Sequence, residues 1–240
     1  MNTNEENIKD DKNGKIDSIC FNPSDDNEGF LLKKVQEEFH NGIEAVKSFN
    51  PSVTFYGSAR LKESHPSYKK VQNLAYRISK ELGYTIFTGG GGGVMEAANR
   101  GAFEASGKSV GLTINIRTEQ KKNSYLTDEI PFNFFFTRQT SLSYATEVGI
   151  FCPGGFGTLS ELFDVLTLQQ TGKIDRFPII LFGSDYWTPL EKVIKEILLE
   201  KYNTINENEY NFDIITDDED AILEIIRITK LRDGKEALQF

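Results

Sequence analysis

The residues with the most chemical promise are Pro153-Gly154-Gly155-Phe156-Gly157-Thr158-Leu159-Ser160-Glu161, which place a glycine loop, a hydroxyl and a carboxylate in one short stretch. Glycines let a ligand approach the backbone closely, and the unpaired N–H groups of a helix start bind anions. Thr158 adds a hydroxyl, and Glu161 adds a carboxylate for acid–base or electrostatic work on whatever the loop holds. The same side chain has a local reading. Thr158-Leu159-Ser160-Glu161 has the spacing of a capping box, in which the glutamate reaches back to the helix start. Spacing alone leaves both readings open. A second loop, residues 89–93, is an unbroken glycine run followed by Met95 and Glu96. The two loops take eight of the chain's 20 glycines, where one or two would serve each turn. A ligand close to the backbone, anionic and of phosphate type, accounts for them better than turn chemistry.

Such loops act only if the elements around them aim them together. Residues 148–152 have the length and composition of a buried strand, and Leu159, Leu162, Phe163 and Leu166 repeat at helical spacing after the loop. Residues 84–87 read as another strand. Val94, Ala97, Ala98, Gly101 and Ala105 form the buried face of the next helix, small enough to lie close to the sheet. Residues 53–56 form a first strand ending at Gly57-Ser58, and Val71, Leu74, Ala75, Ile78 and Leu82 mark the helix after it. Residues 109–114 and 179–182 are further strands, with Leu190, Val193, Ile194, Ile197 and Leu198 marking a helix. Residues 212–216 read as a short strand, and Asp217 or Asp218 caps a last helix through Ile222, Ile225 and Ile226. This alternation predicts an α/β, Rossmann-like, doubly wound parallel sheet with helices on both faces. Ligands of such sheets bind at the carboxyl ends of the strands, where Gly57, Ser58 and both glycine loops fall.

The bulk properties exclude several classes. A net charge of −9 and a pI near 4.9 argue against a nucleic-acid partner. No apolar run reaches membrane-spanning length, and the first residues lack the basic and apolar regions of a signal peptide, so a cytoplasmic protein is expected. Cys20 and Cys152 stand outside any ligand-spaced cluster, and His40 and His65 read as surface residues, so no metal site is expected. Residues 1–28 carry eight acidic and three basic side chains, the composition of a disordered segment. Leu32, Val35, Phe39, Ile43 and Val46 then mark an amphipathic helix over residues 29–50, which packs either on the domain or on a second subunit. Residues 51–232 form the ligand-binding domain, and 233–240 a tail. Two decoys fail. Residues 101–109 resemble a P-loop but run from helix into strand, and the five-glycine run offers Glu96 where a dinucleotide fingerprint needs a small residue.

Thr88-Gly89-Gly90-Gly91-Gly92-Gly93-Val94-Met95-Glu96-Ala97, together with Pro153 to Glu161, resembles the LOG family of cytokinin-activating phosphoribohydrolases, sometimes labelled possible lysine decarboxylases. The family's PGGxGTxxE pattern is complete here, and Gly92 stands where proline is common. The resemblance implies a Rossmann-like fold, a homodimer or larger homo-oligomer, and no cofactor. It also implies hydrolysis of a nucleoside 5′-monophosphate, AMP or a base-modified AMP, to free base and ribose 5-phosphate. The family uses an arginine between the glycine motifs, often followed by lysine; Arg138 matches it, and Gln139 replaces the lysine. On this resemblance Glu161 and Arg138 are catalytic. Glu161 stabilises positive charge on the sugar and orients water, while Arg138 meets either the phosphate or the departing base. Gly57, Ser58, Gly90, Gly91, Gly92, Gly93, Met95, Glu96, Gly154, Gly155, Gly157 and Thr158 line the nucleotide. Phe132, Phe134, Phe135 and Phe136 read as core and interface packing. A decarboxylase would need a lysine for a pyridoxal Schiff base, and neither loop holds one. The alternative is a nucleotide- or cofactor-binding carrier, similar to the molybdenum-cofactor carriers, that keeps the loops without hydrolysis.

Overall fold

The computed structural model describes residues 27–115, 122–210 and 214–231. The expectations for residues 1–26, Phe212 and the tail lie outside them. Seven strands form one parallel sheet: β1 (Ser52–Tyr56), β2 (Thr85–Thr88), β3 (Ser109–Ile114), β4 (Asp128–Phe132), β5 (Val148–Phe151), β6 (Ile179–Phe182) and β7 (Ile215–Thr216). Their order across the sheet is β4-β3-β2-β1-β5-β6-β7, and every neighbouring pair is parallel. The chain walks outward from β1 to β4 and returns to place β5 on the other side of β1. The sheet therefore reverses direction between β1 and β5, which is where such sheets open a crevice for ligands.

Helices cover both faces, as the alternation of side chains requires. On one face Val53 and Phe55 of β1, Ile150 of β5 and Ile180 of β6 pack with Tyr68, Leu74 and Ala75 of α2 (Pro66–Arg77), Ala97, Ala98 and Ala102 of α3 (Val94–Glu104), and Ile222 and Ile226 of α7 (Glu219–Ile228). On the other face Tyr56, Phe87, Phe151 and Leu181 pack with Leu142 and Ala145 of α4 (Phe135–Ala145), Leu162 and Val165 of α5 (Phe156–Gln170), and Trp187 and Ile194 of α6 (Ser184–Ile194). The Asp218 carboxylate caps α7 by accepting from the N–H groups of Asp220 and Ala221. Among the described residues no helix is long and apolar enough to cross a membrane.

Two details differ from the sequence expectation, and one that it left open is settled within the chain. β4 has no strand-like run: Asp128, Glu129 and Pro131 interrupt its apolar pattern, which a sheet edge tolerates because one side of the strand has no neighbour to pair with. Gly101 does not serve contact with the sheet. A Cβ there would lie 2.2 Å from the Gln72 carbonyl and 2.7 Å from the Tyr76 nitrogen, so the small residue lets α3 cross against the α2 backbone. The amphipathic helix, α1 (Asn27–Lys47), settles on the same chain, where Gly42 brings it against the Phe132 ring and the Ser141 hydroxyl.

Candidate functional site

The carboxyl ends of β1, β2 and β5 place three loops side by side, and backbone hydrogen bonds stitch them together. Ser58 is the stitch: its N–H donates to the Pro153 carbonyl at 3.1 Å, and its carbonyl accepts from the Val94 N–H at 2.9 Å. Gly93 makes that approach feasible, since it adopts a φ of 67° and a Cβ there would sit 2.2 Å from the Ser58 oxygen. Behind the five-glycine loop a buried polar network holds the backbone. Thr88 Oγ1 accepts from the Gly90 N–H at 2.8 Å and donates to Asn99 Oδ1 at 2.6 Å. Asn123 Nδ2 donates to the Gly91 carbonyl at 2.9 Å. With their carbonyls occupied from behind, these glycines present their other side to the crevice. On the third loop, Tyr186 donates its hydroxyl to the Gly154 carbonyl at 2.8 Å.

Above these loops lies a cleft of ≈ 1110 Å³. Gly57, Ser58, Gly90, Gly91, Met95, Arg138, Gly154, Gly155, Gly157, Thr158 and Glu161 line it. Gly92, Gly93 and Glu96 do not. Gly93 serves the Ser58 contact, and Glu96 turns away to accept the Tyr68 hydroxyl at 2.9 Å. The lining also includes residues the motif analysis passes over: Arg60 and His65 from the loop after β1, Thr113 and Ile114 at the end of β3, Lys122, and Asp185 beside Tyr186 after β6. Position at a strand's carboxyl end was the available signal for Thr113, Ile114 and Asp185. His65 is exposed as expected, but it also caps α2, its Nδ1 accepting from the Ser67 N–H at 3.2 Å. Among the described residues no group of His, Cys, Asp or Glu could hold a metal ion.

Glu161 does not cap its helix. The helix that follows the loop begins at Phe156 with Gly155 as its N-cap, so Thr158 is already inside the first turn and no capping box forms. Glu161 belongs to the second turn, not the first, and its Oε1 accepts from Arg138 Nη2 at 3.2 Å. Both side chains are largely buried, at 11% and 18% exposure. Burial pushes the Glu161 carboxyl up, Arg138 pulls it down, Asp164 adds a smaller upward push, and the net is above the ordinary carboxylate value. Arg138 lies over Gly89, where a Cβ would be 2.8 Å from its Nη1. Its Nε is buried and has no hydrogen-bond partner among the described residues. The guanidinium thus lies between the five-glycine loop and the Glu161 carboxylate on α5.

The glycines of the third loop divide by cause. Gly154 is required by packing, since a Cβ would lie 2.1 Å from Thr158 Oγ1. Gly155 and Gly157 meet nothing within 4 Å, and neither has a positive φ. Among the described residues nothing requires glycine at those two positions, and both face the cleft. Of the four phenylalanines near Arg138, Phe132 is fully buried while Phe135 and Phe136 are 60% and 58% exposed, so the latter two are not core.

A parallel sheet with two glycine loops at its carboxyl edge, and an arginine–carboxylate pair between them, defines a Rossmann-like fold with one candidate ligand cleft. The protein-family model described as "Possible lysine decarboxylase" matches residues 95–226, more than half of the chain. The chain belongs to this family, the LOG family. A cytokinin riboside 5′-monophosphate phosphoribohydrolase from Rhodococcoides fascians is 23% identical over 155 residues, covering 64% of this chain and 78% of that protein. A protein named probable cytokinin riboside 5′-monophosphate phosphoribohydrolase from Oryza sativa subsp. japonica is 25% identical over 145 residues, 58% of this chain and 59% of that protein. The match therefore spans less than two thirds of the rice protein. Among solved structures, the structural-genomics target TM1055 superposes with a TM-score of 0.57 at 24% identity, covering 73% of this chain and 98% of that one. The molybdenum cofactor binding protein from Rippkaea orientalis gives 0.53 at 22%, covering 73% and 93%. Those two structures share the fold.

Proposed function

We propose that the chain is a phosphoribohydrolase that cleaves the N-glycosidic bond of a nucleoside 5′-monophosphate, AMP or a base-modified AMP, to free base and ribose 5-phosphate. The observation that carries this reading is the buried Arg138–Glu161 pair at 3.2 Å, set between two glycine loops that face one cleft. In the reaction the bond from the anomeric carbon to the base nitrogen breaks, a water oxygen bonds to that carbon and keeps one proton as the new sugar hydroxyl, and the water's other proton passes to the departing base. Positive charge builds on the sugar as the base leaves. An ionised Glu161 stabilises that charge and orients the water. Arg138 neutralises negative charge on the phosphate or the departing base. The open N–H groups of Gly155, Phe156 and Gly157 at the start of α5 supply the phosphate cradle, where the helix dipole adds to their pull. A cleft of ≈ 1110 Å³ accommodates a nucleotide with room for a substituted base.

The decarboxylase description does not suit these residues. Among the described residues the lysine that lines the cleft is Lys122, which is exposed and bound to Glu129 at 2.6 Å, and so is not a buried amine ready to form a Schiff base. Incubating the protein with a panel of nucleoside monophosphates and separating free bases by chromatography tests the proposal. Base release from AMP or an N6-substituted AMP supports it. Tight nucleotide binding without base release would favour the carrier reading, in which the same loops hold a phosphorylated cofactor.

A further inference from the structure

Glu38 lies on α1, outside residues 95–226 that the family model matches, yet its carboxylate ends at the start of α4. One oxygen accepts from the Asn133 backbone N–H at 2.7 Å and from Asn133 Nδ2 at 2.9 Å. The other accepts from the Phe134 N–H at 3.1 Å and from Thr137 Oγ1 at 2.5 Å. α4 has no cap of its own, because its N-cap residue is Phe134, whose side chain offers no acceptor. The carboxylate from α1 supplies what the helix start lacks, an acceptor for unpaired N–H groups and a negative charge at the positive end of the dipole. Burial works against the Glu38 charge, but these hydrogen bonds outweigh it and hold the carboxyl below its ordinary range. Arg138 stands one turn further along α4, and its N–H donates to the Phe134 carbonyl at 3.2 Å. Gly42, one turn along α1 from Glu38, brings the same helix against Phe132 and Ser141.

We propose that Glu38 is a positioning residue for the Arg138–Glu161 pair, fixing the first turn of α4 so that the guanidinium reaches the carboxylate across the cleft. The amino-terminal helix is then part of the site's support. This rests on the reading of that pair as the reacting centre, and the test separates the two. In the full chain, wild type, Glu38→Ala, Glu38→Gln and Arg138→Ala are compared by the titration midpoint of Glu161, followed by carboxyl-carbon NMR, and by kcat and KM for AMP. Among the described residues the charged groups facing Glu161 are Arg138 from α4 and Asp164 from its own helix, with His65, Lys122, Arg60 and Asp185 elsewhere on the cleft wall. Since Arg138 holds the Glu161 midpoint down, a displaced Arg138 lets it rise.

Glu38→Ala should move the midpoint upward toward that of Arg138→Ala and lower kcat by ~10–100-fold with a smaller change in KM, the scale expected of a misplaced group. Glu38→Gln keeps the side-chain length and one acceptor but turns an amide toward the N–H groups, and should fall between. If both Glu38 variants melt earlier but leave the Glu161 midpoint at its wild-type value, Glu38 is a stabilising cap only and the proposal is overturned. The titration decides this even if wild type releases no base, an outcome that would remove the phosphoribohydrolase reading alone.

Discussion

At the Glu161 carboxyl, burial and the Arg138 guanidinium pull in opposite directions, and burial wins. The folded protein then holds this proton more tightly than the unfolded chain does. Stability from that difference is fully present below the unfolded value near 4.5 and is lost as pH rises through the higher folded value. At neutral pH the ionised side chain is a cost the fold carries. Glu161→Gln, which removes the charge and keeps the shape, should melt at the same temperature or higher at pH 7, as calorimetry would register. A clear drop in melting temperature would mean that the ion pair is a structural tie. Activity should follow the same proton. Base release requires the ionised carboxylate, so the rate should fall on acidification through a midpoint above the ordinary carboxylate range. A pH–rate profile flat down to pH 4 would contradict that assignment.

The glycine loops show what an element gives up for ligand access. Gly157 occupies the second position of α5, with open space where a Cβ would stand. Gly157→Ala should therefore stabilise the fold by about 0.5–1 kcal/mol, the usual gain for this exchange within a helix. The same methyl would stand where the phosphate approaches, so AMP affinity measured by calorimetry should drop by ~10-fold or more. Stabilisation with unchanged affinity would show that the ligand does not reach this loop. The same physics explains how far the chain could be read from its letters. Both loops and six of the seven strands were legible, because buried parallel strands are short apolar runs and the loops are dense in glycine, while Arg138 was picked out only by the resemblance to the LOG family. β4 was not, since an edge strand needs apolar residues on fewer sides. Glu38 was not either: a carboxylate that caps a helix almost a hundred residues away leaves no local pattern. Thr158 and Glu161 carried a misleading pattern, a capping-box spacing displaced from the true helix start at Phe156.

Over the whole molecule, the net charge is −9, yet the cleft gathers Arg60, Lys122 and Arg138 around the two helix starts. Local donors, rather than overall charge, are what the site offers an anion. Around the same opening Phe135, Phe136 and Phe156 are exposed, Phe156 by 94%, and Phe163 follows on the same face of α5. Exposed rings on this scale mark a contact surface. A homodimer, as the family resemblance implies, is the proposed occupant. Sedimentation equilibrium should give a dimer that Phe156→Ser weakens, whereas a monomer at tens of micromolar would contradict it. Hydrolysis of a nucleoside monophosphate in this cleft through Glu161 is the activity we propose. It is tested most directly by the rate of base release from AMP, measured for wild type and Glu161→Gln in preparations of equal fold and equal AMP affinity. Wild type should release base, and the variant should lose ~10²–10⁴-fold in rate. Equal rates for the two proteins, or no release by wild type from any monophosphate, would contradict it.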